Sequence, residues 1–501
     1  MTVLCRKVSD SGMNSYNGKQ VEIDWSPDRG SGTPVYAQIV RYIADKIRCG
    51  DWVEGQKLPP QRKLAELFCV NRSTVSTAMD ELMSYGIIES DHGGGTRVTG
   101  GSWSLRLAQP PDWNRYITGS PFHANKPTIQ MINRMEFKKG YIRIGTGELA
   151  PELYPNALME DILHRIPEKI QSLNYLGALG LPQLREELCR YLQQEKGIHA
   201  LPENILITTG SLQALQLISI CMLRPGSTVF TEAPTYLKSL QVFQSAGMQL
   251  RGLPMDEEGI RYQKIRPDET ENAIIYTIPT FHNPTGCVMS QQRRQGLLSF
   301  CMKNSLPMIE DDAYGSLWFD KKPPAPVKSL DAGGNVLYLG TLSKTIAPGL
   351  RIGWVVGPEA VIDRLGDVKM QTDYGSSSVS QLAAAELLSD PGYEAYLSDL
   401  RKRLMRRRDN ALKAIRRHFE GLCEWNCPSG GFYIWLKFHN SLPIDTIFYE
   451  ALDQGILLNP GNVYDYRENN AIRISYSYAS EEELERAIGI LAEIIVRHMK
   501  K

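Results

Sequence analysis

The sequence contains no uninterrupted apolar stretch approaching the roughly 18 residues of a membrane helix, so no spanning segment is expected. Its opening, MTVLCRKVSDSGMNS, lacks the apolar core of a secretion signal. Net charge is missing too: 56 Lys and Arg stand against 56 Asp and Glu. Bulk charge therefore recruits neither nucleic acid nor membrane, and any DNA binding must come from a local surface. Nine cysteines in 501 residues have no framework spacing, which excludes a disulfide scaffold and fits reduced thiols in a cytoplasm. The one close pair, Cys423 and Cys427, reads as two small packed side chains, and no metal site is expected. With 42% apolar and 22% charged residues, a disordered chain is excluded.

What is present exceeds one core, since single domains stop growing at about 250–300 residues. Residues 1–32 are polar, rich in Ser, Gly and Asn, and read as a flexible leader. Residues 33–100 form a compact, mainly helical domain. Residues 101–135, with paired Pro and Gly and no steady period, read as a linker, and residues 136–501 as the large domain. There, ENILITT, GSTVFTE, NAIIYTIP, PMIEDDA and NVLYLGT look like buried strands, with helices such as GLPQLREELCRYLQQEKG and SQQRRQGLLSFCMKNS between them. That alternation predicts an α/β domain with a mostly parallel sheet flanked by helices.

In the small domain, Tyr36, Ile39, Val40, Ile43 and Ile47 fall on one helical stripe, and Gly50 supplies the stop. Pro59 or Pro60 suits the first turn of a second helix, and Asn71 suits the N-cap of a third. The third helix begins Arg72-Ser73-Thr74, groups that reach phosphates and base edges. Two short strands around His92-Gly93-Gly94-Gly95 read as a hairpin wing. The domain is formally neutral, and the plainer reading is a helical packing module. The placement of Arg62, Arg72 and Arg97 on the helix and wing positions that would face a duplex favours DNA. The run G-x-x-x-G-x-x-L-P-P-x-R-x-L-A, then N-R-S-T-V, Gly86 and H-G-G-G-T-R-V, resembles the α/β winged helix-turn-helix of GntR-type bacterial repressors. The resemblance implies that Arg62, Arg72, Ser73, Thr74, His92 and Gly93 contact double-stranded DNA. Ser76 stands where some relatives carry a basic residue.

In the large domain, ILITTGSLQALQLISICML is a strand, a turn and a helix whose first N–H groups suit a phosphate. Downstream come Tyr236 in APTY, Asn283 in FHNPTG, Asp311 and Tyr314 in IEDDAY, and Lys344 and Arg351 in GTLSKTIAPGLRIG. Singly these are a core tyrosine, a turn former, a helix cap, a solvated lysine. Together they are the groups pyridoxal 5′-phosphate requires: an amine for its aldehyde, a carboxylate for the pyridine nitrogen, a phenol and an amide for the 3′-oxygen, an aromatic for the ring face, and an arginine with hydroxyls for the phosphate.

In order and spacing these motifs resemble the fold-type I aminotransferases. The resemblance implies that Lys344 forms the Schiff base and Asp311 faces the pyridine nitrogen. Tyr314 and Asn283 would bond the 3′-oxygen, with Tyr236 on the ring. Ser211, Leu212 through its N–H, Thr341, Ser343 and Arg351 would hold the phosphate, with Gln213 beside them. Tyr175 matches a tyrosine that reaches the neighbouring subunit's phosphate, and Arg473 one that grips an α-carboxylate. A winged helix ahead of such a domain resembles the MocR-type subfamily of GntR regulators. That implies a regulator that senses pyridoxal phosphate or its adduct with an amino compound, acting as a head-to-tail homodimer. The rival expectation is an active aminotransferase carrying a DNA-binding appendage.

Overall fold

The computed structural model describes Ile23 and residues 25–91, 95–99, 120, 125–467 and 469–499. The chain divides into two compact units, Met1–Gly119 and Ser120–Lys501. Among the described residues no helix is long and apolar enough to cross a membrane, and Cys49, Cys189, Cys221, Cys287, Cys301, Cys423 and Cys427 are free thiols.

The first unit contains helices α1 (Val35–Arg48), α2 (Gln61–Leu67) and α3 (Arg72–Ser84), followed by strands β1 (Ile88–Asp91) and β2 (Gly95–Val98). The predicted stripe is the buried face of α1: Ile39, Val40, Ile43 and Ile47 pack with Leu64, Phe68, Val75, Ala78 and Leu82. Gly50, at φ +78°, ends α1 in the left-handed conformation that glycine tolerates best. β1 and β2 pair antiparallel from Ile88↔Val98 to Asp91↔Gly95 and make the wing. Two local details differ from expectation. Pro60 is the cap of α2, one residue outside the helix, and Asn71 caps α3 by position without a side-chain bond. The end of the leader is tied down, with Trp25 stacked on Tyr42 at 4.9 Å and Arg29 donating to the Cys69 carbonyl. The wing tip, His92 and Gly93, most of the leader, and linker residues 101–119 and 121–124 lie outside the described residues.

In the second unit, β3 (Ile142–Arg143) precedes the main sheet. The sheet comprises β4 (Ile205–Thr208), β5 (Thr228–Ala233), β6 (Gln249–Asp256), β7 (Gly259–Ile260), β8 (Ala273–Thr277), β9 (Met308–Asp311), β10 (Val336–Thr341) and β11 (Gly353–Val356). Their order is β4-β11-β10-β9-β8-β5-β6-β7. β6, β5, β8, β9 and β10 are mutually parallel, whereas β11 runs antiparallel to both neighbours. Alternation places Ile205, Ile207, Trp354 and Val356 in one core layer, and Leu206 and Val355 in the other, so both faces are covered.

A smaller antiparallel sheet follows, formed by β12 (Cys423–Trp425), β13 (Tyr433–Phe438), β15 (Asn459–Pro460) and β16 (Ala471–Ser475) in the order β12-β13-β16-β15, while β14 (Ile456–Leu457) pairs with β3. The helices Gly392–Phe419 and Glu481–Met499 pack against one another beside it. The fold is thus a winged helix plus a large α/β unit with a mostly parallel sheet. Ligands bind outside the carboxyl ends of such strands. β4, β8, β9 and β10 deliver Gly210, Asn283, Asp311 and Thr341 to that edge.

Candidate functional site

A cleft of about 310 Å³ lies at that edge. It brings together ten of the residues singled out from sequence: Ser211, Leu212, Tyr236, Asn283, Asp311, Tyr314, Thr341, Ser343, Lys344 and Arg351. Lys344 follows β10, and its Nζ donates to the Gly147 carbonyl at 2.7 Å. Gly147 must be small, because a Cβ there would collide with the Tyr433 hydroxyl.

Asp311 ends β9 and is buried. Its Oδ2 accepts from the Tyr276 hydroxyl at 2.8 Å, while the buried Oδ1 has no partner. Burial pushes its carboxyl up to about 6, helped by the adjacent Asp312, while the Tyr276 bond and the Lys344 charge oppose the rise. Asp312 is directed away from the cleft, accepting from Lys196 and Tyr338, each at 2.7 Å.

The end of the cleft beyond β4 is built from backbone. Gly210, at φ +115°, turns the chain from β4 into the helix Ser211–Met222, whose first N–H groups have no intrahelical acceptor. A Cβ at Gly210 would stand 3.0 Å from Arg351 Nη2. Ser211 Oγ is buried with no partner. The Thr341 hydroxyl donates to the Ile352 carbonyl (3.0 Å) and accepts the Ser343 N–H (3.1 Å), fixing the loop that carries Lys344.

The donor set fits pyridoxal phosphate. Asp311 with an unpartnered buried carboxylate oxygen, Ser211 with an unpartnered buried hydroxyl at a helix N-terminus, and the amine-bearing Lys344 all line one cavity. Tyr236 is half-buried, and burial pushes its hydroxyl up to about 12, so it is neutral. Lys238, also in the lining, is held below the usual lysine range by burial.

Arg473, from β16, is buried behind the cleft, donating to Asn283 Oδ1 at 2.7 Å and to the Gly145 carbonyl. Its guanidinium lies 4.0 Å from the Tyr433 ring centroid and 4.7 Å from that of Tyr464. The Tyr314 hydroxyl is 2.9 Å from that of Tyr433. Gln213 and Tyr175 do not line the cleft. Gln213 bonds the Thr209 N–H and Asp373. Tyr175 is 80% exposed, edge-on to Tyr374. Sequence reading missed Tyr276, Tyr433, Gly147 and Lys238. A tyrosine inside the strand pattern NAIIYTIP, and another after the glycine pair of GGFYIW, were the signals available.

In the first unit, Arg72 and Ser73 open α3 and are exposed, with Thr74 half-buried. Arg72 has no ion-pair partner among the described residues. Arg62 projects from α2 with its side chain 87% exposed, 4.0 Å from Glu66. Arg97 behaves differently: it donates to the Gly55 carbonyl at 3.1 Å and ties the wing to the body.

Residues 35–98 match the family model for bacterial regulatory proteins of the gntR family, and residues 142–491 that for aminotransferase class I and II. A Bacillus subtilis protein described as the uncharacterized HTH-type transcriptional regulator YisV is 50% identical, over 95% of this chain and 99% of its own. The HTH-type transcriptional regulator NorG of Staphylococcus aureus is 33% identical, over 86% of this chain and 98% of its own. Among solved structures, Pyrococcus horikoshii kynurenine aminotransferase in complex with PMP superposes with a TM-score of 0.74 at 31% identity, over 78% of this chain and 99% of its own. The chain therefore belongs to the GntR family of HTH-type transcriptional regulators, in the MocR-type subfamily whose winged helix is joined to an aminotransferase class I and II domain.

Proposed function

We propose that this protein is a cytoplasmic transcriptional regulator whose aminotransferase-type unit holds pyridoxal 5′-phosphate, and whose winged helix reads an operator according to the state of that unit. The observation that carries the reading is that Asp311, with its unpartnered Oδ1, lines the same cleft as Lys344 and the helix N-terminus at Ser211. Bound there, pyridoxal phosphate supplies an aldehyde that bonds primary amines and a ring that withdraws electrons. Lys344 is the amine assigned to that aldehyde, and Asp311 the acceptor that keeps the ring nitrogen protonated. Tyr314 and Asn283 bond the 3′-oxygen, and Tyr236 covers the ring. Ser211, the Leu212 N–H, Thr341, Ser343 and Arg351 hold the phosphate, with Gln213 bracing the turn.

Arg473 is the group for an effector's carboxylate, so the effector is an amino acid or a related amino compound. Such a ligand shifts the protein only by its differential affinity for two states. The contact between Arg473 and Asn283 gives it a route, because a carboxylate on Arg473 competes with the amide. Tyr175, exposed and clear of its own cleft, supports a head-to-tail homodimer in which it completes the neighbour's phosphate site. Two winged helices per dimer favour a repeated or palindromic operator, contacted by Arg62, Arg72, Ser73, Thr74 and the His92–Gly93 tip.

Borohydride reduction of the protein loaded with pyridoxal phosphate, followed by peptide mass spectrometry, tests the site: the pyridoxyl group should be on Lys344 and nowhere else. Operator binding measured with and without cofactor and amino compounds tests the coupling. An active aminotransferase remains the second reading, favoured by the presence of Lys344, Asp311 and Arg473 together. Steady turnover with a keto acid that survives deletion of residues 1–100 would select it.

A further inference from the structure

A second cleft, of about 610 Å³, opens at the seam between the main sheet and the C-terminal sheet. Its volume is within the range of sites for small organic molecules, and no residue of its lining is shared with the cofactor cleft. One wall comes from the end of β6 and the turn after it, and from Thr285–Val288. The other comes from β12, β13 and the loop between them.

The chemistry of the walls is specific. Trp425 and Trp435 line the space, and Trp435 shares its face of the sheet with Lys437 and Glu424. Three carboxylates line the space, Asp256, Glu257 and Glu424, against one lysine, Lys437. Asp256 is neutralised by Arg293 at 3.0 Å, whereas Glu257 and Glu424 have no ion pair among the described residues. Glu424 stands directly opposite Lys437 in the β12–β13 register without bonding it. The balance is one net negative charge beside the Trp435 indole, a combination that attracts cations and rejects anions. We propose that this cleft binds an amphipathic organic cation, a protonated or quaternary amine carrying an apolar or aromatic body.

The site is placed to communicate with the cofactor cleft. Trp435 is opposite Arg473 in the β13–β16 register, and Tyr433, which meets Tyr314 in the cofactor cleft, is two residues along the same face of β13. The Trp435 backbone N–H donates to Asn426 Oδ1 at 2.9 Å, and at Gly286, three residues after Asn283, a Cβ would collide with Asn426 and the Tyr433 carbonyl. A ligand bearing on Trp435 or Thr285 thus presses on the elements that carry Arg473 and Asn283.

Calorimetric titration of the full chain loaded with pyridoxal phosphate tests the proposal. The probes are benzyltrimethylammonium, its uncharged carbon analogue neopentylbenzene, and phenylacetate. The ammonium should bind saturably and at least tenfold tighter than either comparator. Replacing both carboxylates (Glu257→Gln with Glu424→Gln) should weaken it at least tenfold, and Lys437→Gln should tighten it a few-fold. The cofactor's visible band should be unchanged in every variant. These are exposed or rim positions, and the opposite sign expected for Lys437→Gln separates charge recognition from unfolding. Absence of saturable binding, or equal affinity for ammonium and neutral analogue, overturns the proposal. So does binding that survives the double carboxylate variant but is lost in Lys344→Ala, which would locate the cation in the cofactor cleft.

Discussion

The Tyr276 hydroxyl donates to Asp311 Oδ2 across 2.8 Å, and the other oxygen of that carboxylate is left buried without a partner. The two residues are on parallel neighbours, β8 and β9, and the bond fixes one oxygen of a carboxylate that lines the cleft. Burial pushes the acid up to about 6, and the bond from Tyr276 works against that rise. An ionised Asp311 is what the proposed pyridine contact needs. Affinity for pyridoxal phosphate should therefore fall as pH drops through about 6, as the carboxyl takes up a proton. In Tyr276→Phe the opposing bond is gone, so the acid limb should move to higher pH. A bond to a charged group is worth about 1.5–3 kcal/mol, or roughly one to two pKa units, so affinity at pH 7 should drop about two- to fifteen-fold. Absorbance titrations between pH 5 and 9 measure this; an unmoved acid limb would refute the role of Tyr276.

Gly210→Ala tests the proposed phosphate end. At φ +115° and ψ 168° the backbone is in a region that is essentially glycine-only, at a cost of about 1–3 kcal/mol for other residues. The new methyl would also meet Arg351 at 3.0 Å. Melting temperature should fall by a few degrees, and cofactor affinity should fall further than the melting temperature accounts for. Equal affinity in the variant would mean that Arg351 is not a phosphate ligand.

Arg473→Ala removes both the expected carboxylate grip and the partner of Asn283 and the Gly145 carbonyl. Response of the cofactor spectrum to amino acids should be lost or shifted at least tenfold, while the cofactor itself remains bound. Arg473→Lys, which keeps the charge but not the bidentate fork, should recover only part of the response. An amino-acid response identical to wild type would remove Arg473 from the effector site.

The strands read from ENILITT, GSTVFTE, NAIIYTIP, PMIEDDA and NVLYLGT are β4, β5, β8, β9 and β10, because apolar β-branched runs bounded by turn formers are what a doubly covered sheet requires. β6 escaped that reading: as QLRGLPMD it contains Arg, Gly and Pro and alternates exposed with half-buried residues near the sheet edge. Site residues that lie in motifs were legible because each motif is one strand end and the loop after it. Tyr276, Gly147 and Tyr433 were not. Their partners are 35, 197 and 119 positions away, and only the parallel crossovers and the C-terminal sheet bring them together. The wing position of Arg97 was readable, but not that its guanidinium is spent on the Gly55 carbonyl.

That difference between arginines yields the last prediction. Arg72, exposed at the first residue of α3 and without an ion pair among the described residues, is free to meet a duplex. Arg97 instead holds the wing to the segment before α2. Arg72→Ala should weaken operator binding by about 1–3 kcal/mol while leaving melting temperature and cofactor uptake unchanged, since an exposed substitution shifts stability by about 0.5 kcal/mol at most. If the contact is to a phosphate, the slope of log affinity against log salt should shrink by about one. Arg97→Ala should do the reverse in kind, lowering the stability of the winged helix first and affinity only through it. Electrophoretic mobility and thermal melts on the two variants separate these outcomes, and equal loss of stability in both would mean that Arg72 has a structural role the exposed geometry does not support.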